Sequence, residues 1–320
     1  MDDIGDQVQR YGQPMIIILG TIGAILNQIL FCCRKQLRST SCALYFRAMS
    51  LNDLLVMWFV IFTEWLGDQF NIAPVNEYNW YCKLSNYLTY VFYSVSPYIL
   101  VLVCFDRLCT SSIDVRLRRI STKRVASFII LALVIVICLS YSHTLIWFQL
   151  YNLDSDSVCL ALNPVYSYFL AAFLLCVFCF IPPILMVVLC SITFLSLRQQ
   201  RNRIMPVNQA RSRQRDNQLL KMLLIYVTWD IICIVPFSVT YFVYIQNGDR
   251  TSAIMNTLME IFGTVIHLIY ASSFYVYTLG TPFYRDELFS LLKTVWRRLR
   301  PENKHDLRLK IRRATNDPED

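Results

Sequence analysis

Charge is scarce in this sequence. Of its 320 residues only 16% are Asp, Glu, Lys or Arg, far fewer than a soluble protein of that length carries. Gly (8) and Pro (11) are also few, which excludes fibrous and low-complexity chains. The three histidines, His143, His267 and His305, are scattered, and there is no Gly-rich phosphate loop, metal-ligand cluster, or serine or cysteine triad. An enzyme reading therefore finds no support, and no cofactor is implied. No Asn-x-Ser/Thr sequon guides the topology, and the short acidic start Met1–Tyr11 lacks the positive charge of a signal peptide. The first hydrophobic helix is then the expected insertion signal.

What is abundant is hydrophobicity: 56% of residues are apolar and the mean hydropathy is +0.43. A helix needs roughly 20 mostly apolar residues to cross a bilayer, because backbone groups cannot be left unpaired in hydrocarbon. Seven stretches qualify, at about 11–33, 42–66, 79–106, 125–148, 163–197, 217–245 and 252–279. The expected fold is an all-α membrane protein, a seven-transmembrane helix bundle. Residues 1–10 form a short outer N-terminus, 11–282 the membrane domain, 283–299 an amphipathic eighth helix and 300–320 a tail. Of the 30 Lys and Arg residues, 26 fall in 34–41, 107–124, 198–221 and 283–320, all on one side. By the positive-inside rule that side is cytoplasmic, with Met1 outside and Asp320 inside. The net charge of +8 is then a membrane-surface feature, not a nucleic-acid footprint. In 283–299, Phe283, Leu288, Leu291, Leu292, Val295, Trp296 and Leu299 can share one face, as on a helix lying on an anionic leaflet.

Ten of the twelve cysteines fall in helices or at their cytoplasmic ends. Cys82 and Cys159 alone lie on the oxidising side, which suggests one disulfide joining the top of helix three to the loop after helix four. Ionisable groups at mid-membrane are costly and each is a functional candidate: Asp53, Glu64, Asp230 and Glu260, with His143 and His267. Asp53 in helix two lies at the depth of Asn27 in helix one, four residues after Gly23. Two readings are open: Asn27 and Asp53 are interhelical glue, or with Ser96 and Ser273 they form a cation or proton site. Asp106-Arg107 at the end of helix three is either an interfacial pair with a snorkelling Arg or half of a clamp onto Asp216 of helix six.

Together these positions resemble the rhodopsin-like (class A) G protein-coupled receptor family, over all seven helices. Gly23-x-x-x-Asn27 and Leu51-Asn52-Asp53-Leu54-Leu55 match its helix-one and helix-two motifs. Asp106-Arg107-Leu108 corresponds to Asp-Arg-Tyr, and Cys233-Ile234-Val235-Pro236 to the helix-six Cys-Trp-x-Pro hinge. Offsets agree as well. Cys82 stands 24 residues before Asp106, Ser96 stands 11 before Arg107, Asp216 stands 20 before Pro236, and Tyr277 stands seven before Tyr284-Arg285. There are departures. Ile234 replaces the switch Trp, Asp230 replaces a connector Phe, Pro97 replaces Ile, and Ser273-Phe274-Tyr275-Val276-Tyr277 keeps the Tyr but loses Asn-Pro. Ile269 and Tyr270 replace polar neighbours of the family's sodium site at Asp53 and Ser96. The eighth helix has no Cys for a palmitoyl anchor.

The resemblance implies a plasma-membrane receptor whose ligand shifts the bundle between two states, swinging helix six outward to admit a heterotrimeric G protein. Asp106, Arg107, Asp216 and Tyr277 would form the coupling face and lock. Thr89 stands where amine receptors carry Asp and His267 where opsins carry the retinal Lys, so neither ligand is expected. Glu64 and Glu260, near Tyr87, Tyr90 and Tyr93, could hold a basic group of a peptide such as an Arg-rich amidated C-terminus. Equally, they are acids reaching a wet vestibule. A peptide is the favoured ligand. The alternatives are a proton- or cation-coupled transporter using Asp53, Asp230 and Glu260, or a receptor-like protein that couples weakly.

Overall fold

The computed structural model describes residues 2–33, 41–70, 72–112, 114–153, 156–161, 163–200, 207–247, 253–280 and 282–299. Eight long helices follow in chain order: α1 (Asp2–Cys33), α2 (Cys42–Phe70), α3 (Asn79–Ser111), α4 (Lys123–Tyr141), α5 (Pro164–Arg198), α6 (Val207–Asn247), α7 (Ala253–Gly280) and α8 (Pro282–Leu299). Among the described residues seven of these carry a stretch long and apolar enough to cross a membrane. The expected tail 300–320 lies outside the described residues. Large apolar side chains on the outer faces of α4 and α5, among them Phe128, Leu131, Leu139, Ile184 and Leu195, are exposed, as lipid-facing positions require.

Two local features depart from the sequence reading. Helix α1 runs on to Asp2, through the segment expected as a separate N-terminus, because it packs along α7 and Gly5 lies against the Glu260 side chain. The loop after α4 is a β-hairpin, β1 (Gln149–Leu153) antiparallel to β2 (Asp156–Leu160), with Leu150 opposite Cys159. Asn79 Oδ1 accepts from Leu150 N at 3.1 Å and Asn76 Oδ1 from Cys159 N at 3.2 Å, which seats the hairpin on the start of α3.

Prolines decide where neighbouring helices must meet. Pro97 in α3 has no N–H, so the Tyr93 carbonyl four residues earlier loses its helical partner. The Tyr270 hydroxyl of α7 donates to it at 2.7 Å. Pro14 does the same to the Arg10 carbonyl, which the Trp65 indole N–H approaches at 3.4 Å. In α5 a π-helical turn, Leu175–Phe180, shifts the bonding so that Ile181 N–H reaches back to Cys176. The next carbonyl in that register, Val177, faces Pro182, and Tyr98 of α3 fills the gap at 2.7 Å. A buried carbonyl left unpaired costs about 1–3 kcal/mol, so each proline calls for a donor on the adjacent helix. Gly20 and Gly23 set the α1–α7 approach. A Cβ at Gly20 would meet Ala271 Cα at 3.1 Å, and one at Gly23 would meet Phe274 Cβ at 3.1 Å.

The core divides into a lower cluster, around Phe46, Tyr226, Tyr277 and Tyr284, and a middle one, around Met57, Cys233, Ile269 and Tyr270. Helix α8 docks on the lower cluster through Tyr284, Leu288 and Leu291, while Phe289, Leu292 and Trp296 stay exposed for the bilayer. The single apolar face read from the sequence is thus divided between protein and lipid.

Candidate functional site

The expected polar residues meet in the middle of the bundle. Asp53 and Asn27 are fully buried, with Ser96 and Ser273 nearly so. Ser96 Oγ donates to Asp53 Oδ1 at 2.7 Å and Ser273 Oγ to Oδ2 at 3.4 Å. Asn27 does not touch Asp53 directly; its Nδ2 reaches Ser273 Oγ at 3.2 Å. The network extends further than the sequence indicated. Asn52 Nδ2 bonds Ser96 Oγ at 2.9 Å and the Phe92 carbonyl at 2.8 Å, and the Tyr284 hydroxyl of α8 donates to Asn27 Oδ1. Burial holds the Tyr284 phenol well above its usual pKa, so it remains a donor. A sodium ion at Asp53 would need more oxygens than Ser96 and Ser273 provide. Tyr270 spends its hydroxyl on the Tyr93 carbonyl and Ile269 has none to offer, so the residues fit a closed hydrogen-bond network better than an ion cage. No step below uses a bound ion.

At the basic end, Arg107 Nη2 pairs with Asp106 Oδ2 at 2.8 Å, both side chains being buried. Asp106 also accepts from Ser41 Oγ at 3.0 Å and from Ser121 Oγ at 2.6 Å. The carboxylate thus ties the start of α2 and the entry to α4 onto α3. Sequence reasoning missed Ser41 and Ser121, since no spacing rule marks a serine in a neighbouring loop. Asp216 lies in α6, but its side chain falls outside those described, and the Arg107–Asp216 clamp with it. Tyr277 is fully buried, its ring 5.1 Å from Phe46 and 5.2 Å from Tyr226. Cys233 is buried, and Pro236 lies inside an unbroken α6. Asp230 is almost completely buried between the two apolar clusters, and neither carboxylate oxygen has a hydrogen-bond partner among the described residues.

At the opposite end the Cys82–Cys159 disulfide links α3 to β2, with Cα atoms 5.7 Å apart. On this side a cavity of about 430 Å³ opens among α1, α2, α3, α5, α6 and α7. Glu64, Tyr93, Glu260 and His267 line it, and so do Gln9 and Gln13. The two glutamines were not anticipated, because only the packing of α1 on α7 brings them to the cavity. Thr89 instead faces an adjacent space of about 390 Å³ that shares Glu64 and Tyr93. His267 Nε2 lies 2.9 Å from the Tyr93 hydroxyl and 4.0 Å from Glu64 Oε2. Gln13 Oε1 and His267 Nδ1 are buried without a partner among the described residues. Unsatisfied polar atoms in such a wall are available to a ligand.

The profile of the 7 transmembrane receptor (rhodopsin family) matches residues 23–275. The chain belongs to the rhodopsin family of seven-transmembrane receptors. No curated protein matches it. The receptor is therefore a multi-pass plasma-membrane protein that answers a ligand and signals through heterotrimeric G proteins. Membership favours this reading over a transporter built on Asp53, Asp230 and Glu260.

Proposed function

We propose that the receptor turns its disulfide face outward, takes a ligand bearing a basic group, a peptide by preference, and activates a Gα subunit at its basic face through movement of α6. One observation carries the ligand class: among the described residues the cavity wall holds Glu64 and Glu260 and no Lys or Arg. A cationic group entering there meets two acids, aromatic faces from Tyr90, Tyr93 and Phe178, and the free acceptor of Gln13.

A ligand that engages Glu64 competes for His267 and, through it, for the Tyr93 hydroxyl. The carbonyl of the same Tyr93 is held by Tyr270 at the Pro97 break, and Ser96, nearly one helical turn on, holds Asp53. The ligand thereby biases the α3–α7 contact and the Asp53 network together. Outward movement of α6, with Cys233 and Pro236 as hinge, separates Asp216 from Arg107 and opens a cleft beside Tyr277 for Gα.

The test is nucleotide exchange on Gα by receptor membranes given amidated peptides ending in Arg, and the same peptides with citrulline in its place. The Arg forms act, citrulline weakens them, and Glu64→Gln or Glu260→Gln costs about tenfold or more in potency, as loss of a charge-assisted contact requires. Equal potency of charged and neutral peptides, unmoved by either substitution, would remove the basic-ligand reading.

A further inference from the structure

Arg47 is the one cation placed within α2, and its partner is missing. It stands five residues into the helix from Cys42, the first residue of the span, about 8 Å along the axis. Its guanidinium has no hydrogen bond or ion pair among the described residues, and Nε is buried. Asp106, the buried acid that meets the start of α2, is already engaged by Arg107, Ser41 and Ser121. A buried donor on a permanently charged group is expensive to leave unpaired, so an anion is the complementary occupant.

The surroundings say where that anion comes from. Arg47 lines a groove of about 240 Å³ between α1, α2 and α4, together with Gln28, Leu44, Ala48, Leu51, Ser127 and Ile130. Gln28 Nε2 donates to the Arg47 carbonyl at 2.6 Å and fixes the groove floor. The rim faces lipid, because Leu51 is 56% exposed and neighbouring Phe128 72%. Apolar walls run from the guanidinium toward mid-membrane, while Ser127 offers a hydroxyl at the polar end. This is the shape of a headgroup and an acyl chain, not of a soluble ion.

We infer that the groove between α1, α2 and α4 is a binding site for one anionic phospholipid, its phosphate on Arg47 and an acyl chain along Ala48, Leu51 and Ile130. The site rests on the orientation proposed above for its meaning in a cell, since the cytoplasmic leaflet is the anionic one. Binding itself does not depend on that orientation and is measurable in a symmetric bilayer.

The experiment uses the full chain in nanodiscs of equal phosphatidylserine and phosphatidylcholine, released into a native mass spectrometer to count retained lipids. The wild type retains one phosphatidylserine in preference to phosphatidylcholine. Arg47→Gln reduces that preference roughly fivefold or more, as loss of one interfacial cation predicts, and Leu51→Trp, which fills the groove from the lipid side, reduces it as well. Lys293→Gln, a basic residue on α8, leaves it unchanged. Equal retention of both lipids by the wild type would overturn the inference. So would a preference that survives Arg47→Gln and Leu51→Trp, or one lost equally with Lys293→Gln. Displacement of the retained lipid by inorganic phosphate alone would also count against it, by showing a soluble-anion site.

Discussion

Replacing Cys159 by Ser lowers the stability of the purified receptor by up to about 4.5 kcal/mol, the chain entropy removed by a cross-link spanning its 77-residue separation. The figure is an upper bound, because a helical unfolded state held in detergent is already restricted. The hairpin keeps two anchors without the bond, Asn79 to Leu150 and Asn76 to Cys159, so it loosens before it detaches. Thermal unfolding of wild type and variant, each with and without reductant, reads the effect. The wild type with reductant should fall to the level of the variant, and reductant should leave the variant unmoved. Coincident curves under all four conditions would mean that the disulfide contributes nothing to the fold.

Asp230→Leu changes stability in the opposite direction, raising it by about 1–3 kcal/mol, the cost of a buried polar group without a partner. Both carboxylate oxygens are unpaired, and the polar groups close by on α6 are committed elsewhere. Tyr226 donates to the Ile269 carbonyl at 3.1 Å, and the Trp229 N–H reaches Ser272 Oγ at 2.7 Å. An ionised carboxylate there would cost still more. Leu keeps the branched four-atom outline of Asp, and its bulkier methyls place the gain toward the lower end of that range. A variant less stable than the wild type would show that Asp230 has a partner. If the variant is more stable but slower in nucleotide exchange, the unpaired carboxyl serves the moving state of α6, a trade expected where a strained group sits at a hinge.

The spans were legible because twenty apolar residues have few other uses, and the disulfide because two cysteines alone fell on one side. Asp53, Ser96 and Ser273 could be grouped because all three are polar at a common depth. What escaped depends on helix rotation and tilt, which no linear period carries. Gln9 and Gln13 reach the cavity only because Gly20 and Gly23 let α1 lie close to α7. Thr89 and Tyr93 are one turn apart on α3, yet Thr89 lines only the adjacent space while Tyr93 borders both. The π-helical turns in α2 and α5 insert a residue without any marker in the first case, and next to Pro182-Pro183 in the second. Tyr98 and Tyr270 read as ordinary aromatics, and their task of serving carbonyls freed by prolines on other stretches of chain emerges only in three dimensions.

The most direct test of the account needs no ligand: nucleotide exchange on a panel of purified Gα subunits by membranes carrying Asp216→Ala, with Arg107→Ala added to the same chain as the control. Exchange should rise above the wild-type basal rate on at least one Gα and be abolished when Arg107 is also replaced. A basal rate unchanged by Asp216→Ala on every subunit, or one that persists without Arg107, would contradict it.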